Sequence, residues 1–207
     1  LYKIKNTQKI TIISHKNPDI DTVSSALAFY KLIQIIDKIL NIELVCIDKI
    51  PEKFWFLWDI SIFKNDFTPN KKDLIIFMDS SSPDISGFEN IYPEIYAKNS
   101  YNTINIDHHF TNKLFWKQNI VNAYFASNTM IIYDFCESLW IIIPNEIANL
   151  LLAWIMSDTW GFKHANTDSK VLEIVWKLVS YWADINFIVN NFFHKNIIII
   201  NSFNISD

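Results

Sequence analysis

The chain has 207 residues, half of them hydrophobic and 19% charged, with a net charge of −4. That length fills one large core or two small ones, and the composition excludes wholesale disorder. The acidic balance excludes a nucleic-acid binder working by bulk positive charge but leaves room for a local basic site.

The predicted elements alternate. Residues 9–14 (Lys-Ile-Thr-Ile-Ile-Ser) form a buried strand that runs into a polar loop, His15 to Asp21. Residues 22–40 place Val23, Ala26, Leu27, Tyr30 and Ile33 at helical spacing. Residues 42–47 are a second strand, and 51–70 are irregular. Residues 73–78 are a third strand, closing on Asp79. Residues 103–106 are a fourth, closing on Asp107-His108-His109, and 120–122 a short fifth. Helical patterns follow at 128–139, 145–156, 169–180 and 184–193. Strand–helix alternation with apolar strands predicts an α/β fold: a parallel sheet of about five strands with helices on both faces, followed by a helical segment. Ligands in such folds bind beyond the carboxyl ends of the strands.

No apolar run reaches the about 18–20 residues that cross a bilayer, and residues 1–9 have no signal-peptide core. Cys46 and Cys136 match neither a disulfide framework nor a zinc pattern. They read as buried inert thiols in a cytoplasmic protein.

Four clusters carry chemistry: His15, Asp19 and Asp21; Asp79; Asp107, His108 and His109; and Asp158 at a helix end. Taken singly, each has a bland reading, since a strand-end Asp often caps a helix and a lone His often sits satisfied in a core. Together they bring enough carboxylates to one sheet edge to need a neutralising cation. Oxygen donors with a few imidazoles and no cysteine suit Mn²⁺ or Mg²⁺ better than zinc.

In this order, His15-x-x-Pro18-Asp19-x-Asp21, Asp79, Asp107-His108-His109 and Asp158-Thr159-x-x-Phe162 resemble the motifs of the DHH phosphoesterases over roughly residues 8–190. The runs Phe110-Thr111-Asn112, Phe115-Trp116-x-x-Asn119 and Ala153 to Phe162 resemble the branch of nano-RNases and 3′-phosphoadenosine-5′-phosphate (pAp) phosphatases. The resemblance implies hydrolysis of short oligonucleotides and/or pAp by a hydroxide bridging two divalent ions, Mn²⁺ first and Mg²⁺ second. It implies His15 and Asp19 on one ion, Asp21, His108 and Asp158 on the other, and Asp79 on both. His109 would act at the scissile phosphate or leaving group. Asp107 would orient a histidine, and Asn112 would reach the substrate phosphate. His164, beside Lys163, is a further substrate-contact candidate with a surface role as its alternative. The expected partner is a short oligonucleotide or nucleotide, with no long duplex and no membrane; a homodimer is compatible with this reading. Cyclic-dinucleotide phosphodiesterase, manganese pyrophosphatase and a truncated non-catalytic metal- or nucleotide-binding remnant are the alternatives.

Relatives in this branch carry a smaller closing domain with a glycine-rich, histidine-containing motif that has no counterpart here. The expected division is a catalytic domain at 1–190 and, at 191–207, a linker or the truncated start of that missing domain. The start at Leu1 reads as a clipped piece or a non-AUG start.

Composition adds one more expectation. Arginine is absent, Ile (37) and Asn (22) are abundant, and there are 2 Gly against 8 Trp, whereas average usage of about 7% predicts roughly 14 glycines. Trp140 and Trp182 follow helical patterns where a left-handed residue is favoured. Trp58 and Trp160 fall in loops, and the relatives have glycine at Trp116, Trp154 and one of the pair after Thr159. A gene in which UGA specifies glycine, translated with UGA as tryptophan, gives this pattern; the alternative is a protein that is truly rich in tryptophan.

Overall fold

The computed structural model describes residues 4, 6–97 and 100–194, the side chains of 193 and 194 excepted. Most of the segment expected to be a linker, 191–207, lies outside the described residues. Six strands form one sheet in the order β3-β2-β1-β4-β5-β6. They are β1 (Lys9–Ser14), β2 (Asn41–Val45), β3 (Phe63–Lys64), β4 (Leu74–Met78), β5 (Asn102–Asp107) and β6 (Gln118–Val121), and every neighbouring pair is parallel. The sixth strand is β3, which falls inside the stretch read as irregular. Two residues are too few to show a period of two.

The helices are α1 (Ile20–Ile36), α2 (Pro93–Tyr96), α3 (Asn128–Ser138), α4 (Asn145–Asp158), α5 (Ser169–Ser180) and α6 (Ile185–Val189). None among the described residues is long and apolar enough to cross a membrane. Alternate strand residues point to opposite faces. Ile10, Ile12, Leu44, Ile76 and Met78 bury against α1, α3, α4, α5 and α6. Ile13, Val45, Ile75 and Phe77 meet Phe67, Phe88, Ile95, Tyr96 and Trp116 on the other face. The second layer is therefore thin, made of the short α2 and loops. Helix α4 is apolar almost all round, as a helix enclosed by others must be. Burying Leu150, Leu151, Leu152 and Ile155 contributes about 1.5–3 kcal/mol each. Helix α5 is half-exposed and buries only Val171, Ile174, Val175 and Leu178, while Asp168 caps it by accepting from the Val171 N–H at 2.9 Å.

One consequence of this topology sets up everything at the site. Ser14 pairs with Met78, and Met78 with Ile106, in register. The residues that follow, His15, Asp79 and Asp107, therefore leave the same edge side by side, about 4.8 Å per strand. Strand order reverses between β1 and β4, where a crevice opens in doubly wound sheets.

Candidate active site

Three of the four predicted clusters meet at that edge. The first loop ends on Asp19, whose carboxylate caps α1 by accepting from the Thr22 N–H at 3.0 Å and also faces His15 Nε2 at 3.7 Å. Asp19 is thus both the bland helix cap and a member of the cluster. Asp79 is 1% exposed, and its carboxylate faces His15 Nε2 at 3.6 Å, His108 Nε2 at 3.7 Å and His109 Nδ1 at 3.5 Å. Its backbone is left-handed, φ 56°, a conformation that costs a non-glycine residue about 1 kcal/mol or more and concentrates at functional sites. Asp21, in the first turn of α1, lies 3.4 Å from His108 Nε2 and accepts from the Asn128 N–H at the start of α3, 3.1 Å away.

Two donor groups result. One atom each of His15, Asp19 and Asp79 lie within 4.8 Å of one another, and so do those of Asp79, His108 and His109. Asp79 belongs to both. Asp158, at the end of α4, stands outside these tight groups but within the same field. Burial, opposed by His108 and reinforced by Asp79 and Asp19, pushes its carboxyl from 3.8 up to about 6. Burial, then the charges of Asp79 and Asp19, also raises Asp21 well above the carboxylate range.

The set fits a divalent cation on three observations. The imidazole–carboxylate distances of 3.4–3.7 Å between His15 or His108 Nε2 and their partners exceed those of hydrogen bonds. Asp21 Oδ1 and Asp79 Oδ1 are buried without any hydrogen-bond partner, which is costly unless something positive faces them. Among the described residues, the ion-pair partners of Asp19, Asp21, Asp79 and Asp107 are histidines, never lysines.

His15, His108 and His109 are also each fixed through Nδ1. His15 Nδ1 meets the Lys16 carbonyl at 2.7 Å, His108 Nδ1 the Phe125 carbonyl at 3.3 Å, and His109 Nδ1 the Asp107 carboxylate at 2.8 Å. A ring that donates from Nδ1 leaves Nε2 as the acceptor, the usual device for orienting a metal-binding imidazole. Burial works against the charged form of His15, but the facing carboxylates of Asp19 and Asp79 prevail and push it up to about 10. His109 is raised chiefly by its bond to Asp107. The variant Asp107→Asn should therefore lower the His109 pKa, read from its ring-proton titration by NMR. An unmoved titration would mean that Asp107 does not set its charge.

The remaining candidates are placed differently. The Asn112 amide donates to the Ser80 carbonyl at 3.2 Å, to Asn105 Oδ1 at 2.7 Å and to Asp107, and its oxygen accepts from the Leu114 N–H. Its side chain is committed inside the loop and positions Asp107. His164 is exposed and stacks on Trp160 at 5.8 Å, with no side-chain bond to the cluster. Sequence reasoning missed Asn105, which is fully buried and donates to the Phe77 and Ser80 carbonyls. It also missed the Lys16 and Phe125 carbonyls, because a main-chain acceptor has no side-chain signature. Cys46 and Cys136 are buried and free, their thiols pushed up by burial to about 11 and about 12.

The sheet is doubly wound and parallel, and its acid–imidazole clusters stand at the reversal point where such folds bind ligands. The chain belongs to the DHH family, whose N-terminal domain it matches over residues 9–155. It is 27% identical over 190 residues to the bifunctional oligoribonuclease and PAP phosphatase NrnA of Thermus thermophilus, covering 83% of this chain and 50% of that protein. It thus spans half the length of this curated relative. Its fold is similar to an exopolyphosphatase-related protein of Bacteroides fragilis, with TM-score 0.81, 21% identity, 93% of this chain and 58% of that chain. It is less similar to a Methanococcus jannaschii protein assigned as a family II inorganic pyrophosphatase, with TM-score 0.55, 22% identity, 83% of this chain and 56% of that one.

Proposed function

We propose that this chain is the catalytic part of a metal-dependent phosphoesterase that hydrolyses short oligonucleotides, pAp, or both. The buried carboxylate of Asp79, shared by two donor groups, carries the reading. The activities named for the Thermus relative support the substrate class. His15 and Asp19 would hold one divalent ion, Asp21, His108 and Asp158 a second, and Asp79 both, with Mn²⁺ as the preferred ion and Mg²⁺ as the substitute. When bound, such a pair supplies Lewis-acid activation of water and neutralises charge on the phosphoryl oxygens. The protein's own groups supply the positioning. The left-handed corner at Asp79 turns its carboxylate into the crevice. Asp107, held by Asn112, anchors His109 through Nδ1 and leaves Nε2 to contact the scissile phosphate or give a proton to the leaving oxygen. The proposal takes residues 1–190 as the catalytic domain, 191–207 as a linker or the start of a further domain, and the cytoplasm as the compartment.

The test is to incubate the protein and Mn²⁺ with a dinucleotide, pAp, cyclic di-AMP or pyrophosphate and to follow products. Mononucleotides from the first, or AMP and phosphate from the second, are the expected result. No turnover of any of them with metal bound would overturn it, and cleavage of only the last two would move the activity to those substrates.

The same proposal includes glycine at most of the tryptophan positions of the protein as made in its cell. Helices α3, α4 and α5 each end in a Schellman motif. The carbonyls of Cys136, Met156 and Leu178 accept from Ile141, Gly161 and Ala183, and those of Glu137, Ser157 and Val179 from Trp140, Trp160 and Trp182. The left-handed residue of each motif is a tryptophan, with φ 54°, 49° and 69° and exposures of 93%, 62% and 83%. Two other tryptophans, Trp116 and Trp154, are buried with indole N–H groups that find no partner. A left-handed L-residue costs about 1–2 kcal/mol, partly offset by the entropy glycine loses on folding. The triple variant W140G/W160G/W182G should therefore gain about 2 kcal/mol, or about 4–8 °C in Tm at this chain length. An unchanged or lower Tm, or a native intact mass that retains all eight indoles, would refute the substitution.

A further inference from the structure

The segment that leaves Asp79, residues 80–86, is stitched to the loops on both sides of it. On one side the Lys16 N–H donates to the Ile85 carbonyl at 2.7 Å, and on the other the Lys113 N–H donates to the Ser81 carbonyl at 3.1 Å. Lys16 follows His15 directly, and Lys113 lies four residues beyond His109. Two lysines thus stand on opposite flanks of one short segment, beside the two donor groups. Both are exposed. Every lysine ion pair among the described residues belongs to another lysine: Lys9, Lys31, Lys49, Lys64, Lys170 or Lys177.

The one carboxylate of residues 80–86 is Asp84. The Ser82 hydroxyl donates to it at 2.6 Å, and this bond, aided by the fields of Lys113 and Lys16, holds its carboxyl below the ordinary range. The two main-chain bonds therefore seat both lysines on the segment that carries Asp84, a stretch with a single carboxylate to set against two positive side chains. The chain has no arginine, so any side chain that pairs with an anion here as a cation must be lysine or histidine. Lysine meets a phosphate as a point charge on a flexible stem and suits an exposed rim. A nucleotide entering a crevice lined by carboxylates needs such a partner for any phosphate that the metal-binding groups do not meet.

We propose that Lys16 and Lys113 form a pair that holds a second, non-scissile phosphate of the substrate, so that the site selects nucleotides carrying a phosphate beyond the one cleaved. This rests on the phosphoesterase reading and adds the residues that make the selection.

The test compares equilibrium binding of pAp and AMP by calorimetry, with Ca²⁺ in place of Mn²⁺ to limit turnover, in the wild type, Lys16→Met, Lys113→Met and Asp84→Asn. Charge-assisted contacts of this kind predict a preference for pAp of about 10-fold or more in the wild type. Each lysine variant should lose most of that ratio, and Asp84→Asn should increase it. A wild type without the preference, or lysine variants that keep it, would overturn the pair. Turnover of pAp with Mn²⁺ is measured in parallel. A preserved preference without any turnover would overturn the phosphoesterase reading and leave the phosphate-binding pair standing. Turnover with lysine variants of unaltered preference would do the reverse.

Discussion

Asp79→Ala or Asp79→Asn should reduce Mn²⁺-dependent turnover of a phosphoester by about 10³-fold or more. Removing a group that merely orients a metal ligand costs about 10–100-fold, and Asp79 touches both donor groups at once. Asparagine is the sharper variant. It is among the few side chains that tolerate left-handed backbone, so the corner at φ 56° and the bond from the Asp79 N–H to the Ile106 carbonyl at 2.8 Å should survive. Loss of activity then reports the missing charge and not a collapsed loop. An Asp79→Asn protein that keeps normal turnover would end the case for a shared ligand.

Mn²⁺ should raise Tm by about 6–15 °C near pH 8 and by much less near pH 5. An ion at about 100–1,000 times its Kd stabilises the folded state by about 2.7–4.1 kcal/mol, and each kcal/mol is about 2–4 °C for a chain of this size. The pH dependence follows from the cluster. Asp158 is raised from 3.8 to about 6, so its contribution is fully present below 3.8 and lost as pH rises through about 6. His15 is raised from 6.5 to about 10, so its contribution is present below 6.5 and lost as pH rises through about 10. Asp19 and Asp107 are lowered; their contribution is present above 3.8 and lost only as pH falls. Between about pH 4 and 10 these groups therefore make the ion-free protein less stable as pH rises. The ion binds ionised carboxylates and neutral imidazoles, so its hold strengthens over the same span. Calorimetric scans with and without Mn²⁺ at the two pH values test this. A gap that is equal at both, or larger at pH 5, would show that the carboxylates and His15 do not bind the ion.

Much of the fold was legible because its strands are unbroken apolar runs. Leu74 to Met78 is buried throughout, which only a sheet covered on both faces requires. Boundaries shifted where caps and turns decide them: α1 begins at Ile20 because Asp19 caps it, and stops at Ile36. The two-residue β3 carried no period to read. The glycine-like character of Trp140 and Trp182 was visible from their places after helical patterns, since a helix end asks for a left-handed residue whatever the sequence supplies.

By itself, the sequence determined which residue types are available: acids and imidazoles after three strands and one helix, lysine as the sole strong base, and no cysteine among the candidates. Tertiary structure decided which of them meet. Parallel pairing of β1, β4 and β5 in one register sets His15, Asp79 and Asp107 side by side, although 64 and 28 residues separate them in turn. The left-handed corner aims Asp79 at both groups, and the Asn112 amide is drawn inward to Asp107. Two lysines distant in the chain come to flank one segment. Sequence spacing is local, whereas these placements depend on strand register and on main-chain bonds between loops, which exist only once the sheet has formed.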